Sequence, residues 1–189
     1  MKFIACFLGA ILFAHTPSKA ANWQIDVAKS SIHFTAQQAG EAFTGHFNRF
    51  TLAIGFDPDA PSEGTIHAEI DLSSVEAGSA ERNQALPGQD WFFAEKFPVA
   101  IFKSNTIQKT DSGRYEAHGT LTLRGISRTI SLPFKFHQTG VTAAVEARAS
   151  LDRSLFGVGT GVWADEKWVK HRVQVDITIM ALQTKAGAP

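Results

Sequence analysis

The feature that most constrains this chain is a period-two alternation of apolar and polar side chains, repeated in segment after segment. Over 65–72, Ile66, Ala68, Ile70 and Leu72 alternate with His67, Glu69 and Asp71. Over 115–123, Tyr115, Ala117, Gly119, Leu121 and Leu123 alternate with Glu116, His118, Thr120 and Thr122. The same pattern runs through 129–137 (Ile130, Leu132, Phe134, Phe136), 141–151 (Val141, Ala143, Val145, Ala147, Ala149, Leu151) and 173–181 (Val173, Val175, Ile177, Ile179). Side chains on a strand alternate between two faces, so each segment reads as a strand with one apolar face, the pattern that favours antiparallel pairing.

Shorter candidates lie at 23–26, 31–37 and 99–107. The segment 43–56 changes parity between Phe47 and Phe50, which predicts a bulge near Asn48 and Arg49. Turn signals stand between the segments, among them Asp57-Pro58, Ser112-Gly113 and the Arg124-Gly125 hairpin. The sum is an all-β chain of about eight antiparallel strands. Strands of ten residues span about 33 Å, and closure into an up-and-down barrel removes the edges that strands this long would expose. A two-sheet sandwich is the competing architecture.

One stretch breaks the pattern. Residues 79–97 predict a short helical insertion among strands: Ser79 as a cap, Pro87-Gly88 as a stop, Asp90 as a second cap and Pro98 as the end. The stretch is dense in aromatic side chains, with Trp91, Phe92, Phe93, Phe97 and Phe102 within twelve residues. That density predicts a cap over one barrel end.

The first twenty residues read as a secretory leader, with Lys2, an apolar run from Phe3 to Ala14, and Ser18-Lys19-Ala20 before cleavage. The expectation is an exported, periplasmic protein with a single domain over 21–183 and a flexible tail over 184–189. Cys6, the only cysteine, falls in the leader. Removing Lys2 and Lys19 leaves 16 basic and 18 acidic residues, a net charge of −2. There is no basic patch, so nucleic acid is not an expected partner. After the leader no apolar run is long enough for a transmembrane helix.

Catalytic signatures are absent: there is no G-x-S-x-G elbow and no cysteine nucleophile after the leader. The run Gly157-x-Gly159-x-Gly161 lacks the strand–turn–helix context of a nucleotide loop. Of the histidines after the leader, His33, His46, His67, His118, His137 and His171, none forms a metal-binding spacing, although histidines of different strands could still converge. Two readings stand for the small inward residues Ala68, Ala117, Gly119, Ala143, Ala147 and Ala149. They leave room for a ligand in the lumen, or they make room for the phenylalanines. Two readings also stand for Arg82: contact with a ligand headgroup, or an ion pair with Glu81, Asp90 or Asp71. Asp152-Arg153 reads as a similar pin before Phe156.

Several motifs resemble one known family. They are Trp23-Gln24-Ile25-Asp26 with Ser31-Ile32-His33-Phe34, Gly45-His46-Phe47 with Phe50, and Ile54-Gly55-Phe56-Asp57-Pro58. Further on come Arg82-Asn83 with Leu86, Trp91-Phe92, Phe97-Pro98 and Phe102-Lys103-Ser104, then Gly119-Thr120-Leu121-Thr122-Leu123-Arg124-Gly125 and Leu132-Pro133-Phe134. Together they are similar to the YceI-like proteins, exported bacterial proteins with a lipocalin-like barrel.

The resemblance implies a lumen that binds a long isoprenoid chain, such as a quinone tail or polyprenyl carrier, with no catalytic role, metal or resident cofactor. A homodimer is plausible on the same ground. The segment 37–45 departs from the family's His-Leu-Gly pattern and resembles members linked to membrane b-type cytochromes, which would make such a cytochrome a partner. A docking protein of that kind, or a hydrolase or isomerase of an apolar substrate, is the alternative. The expected lining is Phe34, Phe43, Phe47, Phe50, Ala68, Ile70, Trp91, Phe92, Phe93, Phe97, Phe102, Ala117, Phe134, Ala147, Phe156 and Trp163, with Arg82 at the headgroup. Phenylalanine suits such a lining better than tyrosine, whose hydroxyl needs a partner, and the chain holds 15 Phe to 1 Tyr.

Overall fold

The structure, a computed structural model, describes residues 21–184; the leader assigned to 1–20 and residues 185–189 of the tail lie outside the described residues. The strands in chain order are β1 (Asn22–Ile25), β2 (Ser31–Gln38), β3 (Glu41–Phe47), β4 (Phe50–Gly55), β5 (Thr65–Asp71), β6 (Val75–Glu76), β7 (Val99–Lys109), β8 (Tyr115–Leu123), β9 (Ile126–Thr139), β10 (Thr142–Asp152) and β11 (Arg172–Gln183). The one α-helix among the described residues is α1 (Ala80–Ala85).

The strands close into an antiparallel barrel of eight walls. β1 and β2 form one wall, bent at a 3-10 turn over Val27–Lys29; β3 and β4 form the next, bent at Asn48-Arg49. β11 closes the ring by pairing with both halves of the first wall, Gln183 to Trp23 at one end and Val175 to Phe34 at the other. The expected break at Asn48-Arg49 is present and has a partner. Arg49 donates from its backbone to Ser74 Oγ at 3.0 Å and from its guanidinium to Asp71 at 2.9 Å. The parity shift is thus tied to the turn between β5 and β6.

Arg124 and Gly125 connect β8 to β9 with φ of 52° and 74°, the left-handed pair that a two-residue hairpin requires. The β9–β10 ladder stops at Phe134 and Ala147, next to Pro133, which has no N–H to donate. Beyond it β9 pairs only with β8, and β10 only with β11. The 3-10 turn Arg153–Phe156 packs against β9 in this wedge, and Arg128 donates to the Leu155 carbonyl at 3.3 Å.

One barrel end is solid. Phe56, 2% exposed, meets Tyr115, Phe134 and Phe136 with ring centroids 5.0, 5.5 and 4.9 Å away. Trp23 donates its ring N–H to the Phe56 carbonyl at 3.0 Å. Ala143 and Ala181 pack into this cluster, which leaves a void of about 30 Å³.

Three expectations need correction. The helix covers only 80–85 of the predicted 79–97; residues 86–97 form successive turns. Asp90 caps no second helical turn, because its carbonyl accepts the backbone N–H groups of Gly159 and Thr160, both at 2.8 Å, and its carboxylate accepts from Thr160 Oγ1 at 3.1 Å. Val141 is not inward: it sits in the β9–β10 turn and is 63% exposed.

Candidate apolar binding site

The opposite end of the barrel holds a cavity of about 160 Å³ whose wall offers no polar surface. Ile32, Phe34, Phe47 and Ile70 come from the strands on one side, Leu121, Leu151, Val173 and Val175 from the other. The insertion roofs it with Leu86, Trp91 and Phe92. The loop after β10 adds Phe156, Val158 and Val169. The roof is held by rings: Phe92 meets Phe47 at 5.8 Å, and Phe47 meets Phe34 at 5.7 Å.

The local sequence explains the roof. Ser79 Oγ accepts the Arg82 N–H at 3.2 Å, so the cap predicted from sequence forms and starts α1. After Leu86 the chain folds back on itself, with Phe92 N–H donating to the Leu86 carbonyl and Ala94 N–H to the Pro87 carbonyl, both at 2.9 Å. Trp91 and Phe92 therefore point down into the barrel. Phe93 adopts a left-handed φ of 51°, which turns the next residues outward.

Arg153 organises the other half of the roof. It is 4% exposed, and its guanidinium donates only to backbone carbonyls: Val169 and Trp163 at 2.6 Å, Val158 at 2.7 Å, Lys170 at 3.1 Å and Gly159 at 3.2 Å. Five donors meet five acceptors, so the loop 157–170 is gathered around one side chain. Trp91 lies between this guanidinium, 5.6 Å from its ring, and Trp163, 5.7 Å away. Burial away from water pushes the Arg153 pKa down, and Asp152 and Glu166 oppose the shift at longer range. Asp152 caps the turn by accepting from Ser154 N–H at 2.9 Å and from Ser154 Oγ at 2.6 Å. The hydrogen bonds from Ser154 hold its carboxyl below the usual range, against a smaller opposing effect of burial.

Of the predicted lining, Phe34, Phe43, Phe47, Ile70, Trp91, Phe92 and Phe156 line the cavity. The others do not. Phe50, Ala68, Phe102, Ala117 and Ala147 lie below it in the packed barrel, and Phe134 belongs to the solid end. Phe93 and Phe97 pack on each other at 6.0 Å, with Phe97 against Gly125 and Lys96 over both rings, away from the cavity wall. Trp163 stands behind Trp91 rather than on the wall. Leu86, Val158 and Val169 line the cavity without having been predicted, and lie outside the long strands, where no periodicity marks an inward side; Ile32, Leu121, Leu151, Val173 and Val175 were also missed, because strand alternation marks the inward face but not which inward residues border the open space.

The small inward residues make room for phenylalanines at two positions. A Cβ on Gly119 would stand 2.6 Å from the Phe102 ring and press on the Lys103 carbonyl, and one on Gly45 would overlap the Phe34 ring. Arg82 has no acidic partner among the described residues. It donates from Nε to the Ala77 carbonyl at 2.8 Å and from Nη1 to Gln38 Oε1 at 3.5 Å, and lies 4.6 Å over the ring of Phe43, a cavity residue. Nη2 has no hydrogen-bond acceptor among the described residues.

The rings of His33 and His46 lie 5.6 Å apart, and among the described residues no group of three ligands could hold a metal. A wider depression of about 490 Å³ along β9–β11 is lined by charged residues, Lys135 paired with Glu146 and Arg148 with Asp176, beside Phe134, Ala147 and Ile177. Its charged groups satisfy one another, and the smaller apolar cavity is the better candidate site for an apolar ligand.

A closed eight-walled antiparallel barrel around an apolar chamber is a lipocalin-like barrel. The YceI-like domain model matches residues 23–181, and the chain belongs to that family. A UPF0312 protein of Shewanella denitrificans is 33% identical over 140 residues, covering 72% of each chain. The crystal structure of Burkholderia cenocepacia BcnA superposes with a TM-score of 0.81 at 31% identity, covering 83% of this chain and 99% of that one. A polyisoprenoid binding domain from Saccharophagus degradans, implicated in plant cell wall breakdown, shares the fold at a TM-score of 0.66 and 16% identity, covering 88% of this chain and 100% of that one.

Proposed function

We propose that this chain is an exported binding protein that holds the apolar tail of an isoprenoid lipid in the cavity, and that it is not an enzyme. The observation that carries the reading is a chamber whose wall, Arg153 included, exposes no polar surface, roofed by Leu86, Trp91 and Phe92. An isoprenoid tail has no polar group to satisfy, and each Å² it buries contributes about 25 cal/mol. The polyisoprenoid binding of the Saccharophagus degradans domain, as its name states it, supports the same ligand class. Export rests on the leader read at 1–20.

Arg82 is the headgroup contact in this reading. Its guanidinium lies over Phe43, beside the cavity, with Nη2 uncommitted. An anionic polyprenyl phosphate would use both tail and headgroup; a quinone would use the tail alone. The test is mass spectrometry of organic extracts from freshly purified protein, followed by titration with both lipid types. Copurified or titratable isoprenoid, weakened in Trp91→Ala, is the expected result, and Arg82→Gln should weaken the phosphate alone. Failure of both lipids to bind would overturn the proposal.

A further inference from the structure

Six large apolar side chains stand exposed among the described residues. Val141 and Leu182 lie at the solid end, where Gln183 donates to the Val141 carbonyl at 2.7 Å, and Val27 lies in the bend of the first wall. The other three, Leu155, Val162 and Trp168, belong to the turn and loop around Arg153, at the end that holds the cavity, and are 52%, 70% and 48% exposed. Leu155 is third in the turn Arg153–Phe156, whose first and last residues are buried, and its carbonyl accepts from Arg128 on β9. Val162 precedes Trp163, which stands behind Trp91 and gives its carbonyl to Arg153. Trp168 gives its carbonyl to the backbone N–H of Ala39, in the β2–β3 turn, at 2.8 Å. Their neighbours Phe156, Val158 and Val169 face the cavity, while these three remain in solvent.

The charges among these tips are balanced. Lys96, Lys167 and Lys170 stand against Glu95, Asp165 and Glu166, all exposed. Lys167 lies 4.9 Å over the Trp168 ring, and Lys96 lies 5.9 and 5.3 Å over Phe93 and Phe97, two partly exposed rings of the insertion. Asp165 and Glu166 accept the backbone N–H groups of Lys167 and His171 at 2.9 and 3.1 Å.

We propose that this end of the barrel docks on a phospholipid bilayer, with Leu155, Val162 and Trp168 set into the headgroup layer. The spacing of the tips selects a bilayer over a protein partner. Asp165, Glu166 and Lys167 separate Val162 from Trp168, whereas the core of a protein interface is depleted in charge. A bilayer surface takes apolar tips singly and leaves their charged neighbours at the level of the headgroups, where tryptophan rings and lysine stems are accommodated. The charge balance selects zwitterionic lipid, because a basic patch would prefer anionic lipid and be screened by salt. Val27, Val141 and Leu182 include no ring, so the other exposed positions serve as the control. The inference goes beyond the reading of the cavity, since docking needs no isoprenoid.

The experiment uses the chain from Ala21 onward, which has no cysteine, and vesicles of phosphatidylcholine and phosphatidylethanolamine that carry no isoprenoid. Wild type should cosediment with the vesicles, with little change as salt is raised. The triple variant Leu155→Ser/Val162→Ser/Trp168→Ser should bind roughly tenfold or more weakly, since each CH₂ removed from water is worth about fourfold. Val27→Ser/Val141→Ser/Leu182→Ser should bind as wild type does. A polarity-sensitive dye on Val162→Cys should shift to the blue on vesicles, and the same dye on Val141→Cys should not; this readout requires no variant to lose binding. Failure of wild type to cosediment, equal loss in both triple variants, a blue shift at position 141 without one at 162, or release by salt overturns the docking. Isoprenoid titration without vesicles is independent of each of these results, so the reading of the cavity stands or falls separately.

Discussion

Arg153 offers the sharpest test of how the roof is built. Replacing it by Met keeps a long apolar stem against Trp91 and removes all five donors. Val158 and Val169 are buried, so their carbonyls lose partners that water cannot easily replace. Each such loss costs about 1–3 kcal/mol. The opposing gain is relief from burying a guanidinium that has no carboxylate in direct contact among the described residues and only the longer-range pull of Asp152 and Glu166, worth up to several kcal/mol for a bare ion. Here the ion is already solvated by five carbonyl dipoles, so the relief is the smaller quantity. A net loss of about 2–4 kcal/mol follows, which at about 2–4 °C per kcal/mol is a Tm drop of roughly 4–16 °C if roof and barrel unfold together. If the roof opens alone, the loss appears instead as faster hydrogen exchange at the Gly159 and Thr160 amides, which both donate to Asp90. Arg153→Lys restores the charge but gathers its donors on one atom, so it should recover only part of the loss. An Arg153→Met protein with unchanged Tm and unchanged protection at those amides would refute the reasoning. A fully native Arg153→Lys would show that charge, not the forked geometry, holds the loop.

Three further outcomes can be checked. Gly119→Ala should lose about 1–3 kcal/mol in urea unfolding, as overpacking does, and Phe102→Leu in the double variant should recover only the share due to the ring, because the new methyl also meets the Lys103 backbone carbonyl. Ser79→Ala removes the cap of α1 and should cost about 1 kcal/mol by the same assay. Asp71, Asp152 and Asp176 all have pKa values held below the usual range, chiefly by hydrogen bonds from Ser73, Ser154 and Gln174 respectively. Folded values below unfolded ones mean stability that is present above about pH 4 and lost as pH falls through the folded values, so Tm should fall steeply there, and less steeply in Asp152→Asn.

The barrel was legible in the sequence because its evidence is local. The strand over 115–123 alternates without exception, and its burial follows the alternation. Ser79 announces a helix start, and Arg124-Gly125 a hairpin, within a few residues each. The site was less legible because its evidence is not local. Phe93 and Phe97 have the same composition signal as Trp91 and Phe92, yet a left-handed φ at Phe93 sends them outside. Arg153 was read as a pin, but its acceptors stand up to 17 residues away in a loop with no period.

The small residues show most clearly where local evidence ends. An inward glycine records that something needs the space, not what occupies it. At Gly119 the occupant is a ring 17 residues earlier in the chain, brought there by the β7–β8 register that sets Phe102 beside Leu121 and Ser104 beside Gly119. The two readings of the small residues, room for a ligand or room for phenylalanine, are therefore not exclusive. In this barrel Ala68, Ala117 and Ala147 pack with Phe102, Leu52, Ile130, Leu132 and Ile177, and the open chamber lies among larger aliphatic and aromatic side chains. Side-chain size along a strand sets the lumen's capacity; which phenylalanine fills it, and hence how much is left for a ligand, is decided by register between strands distant in sequence.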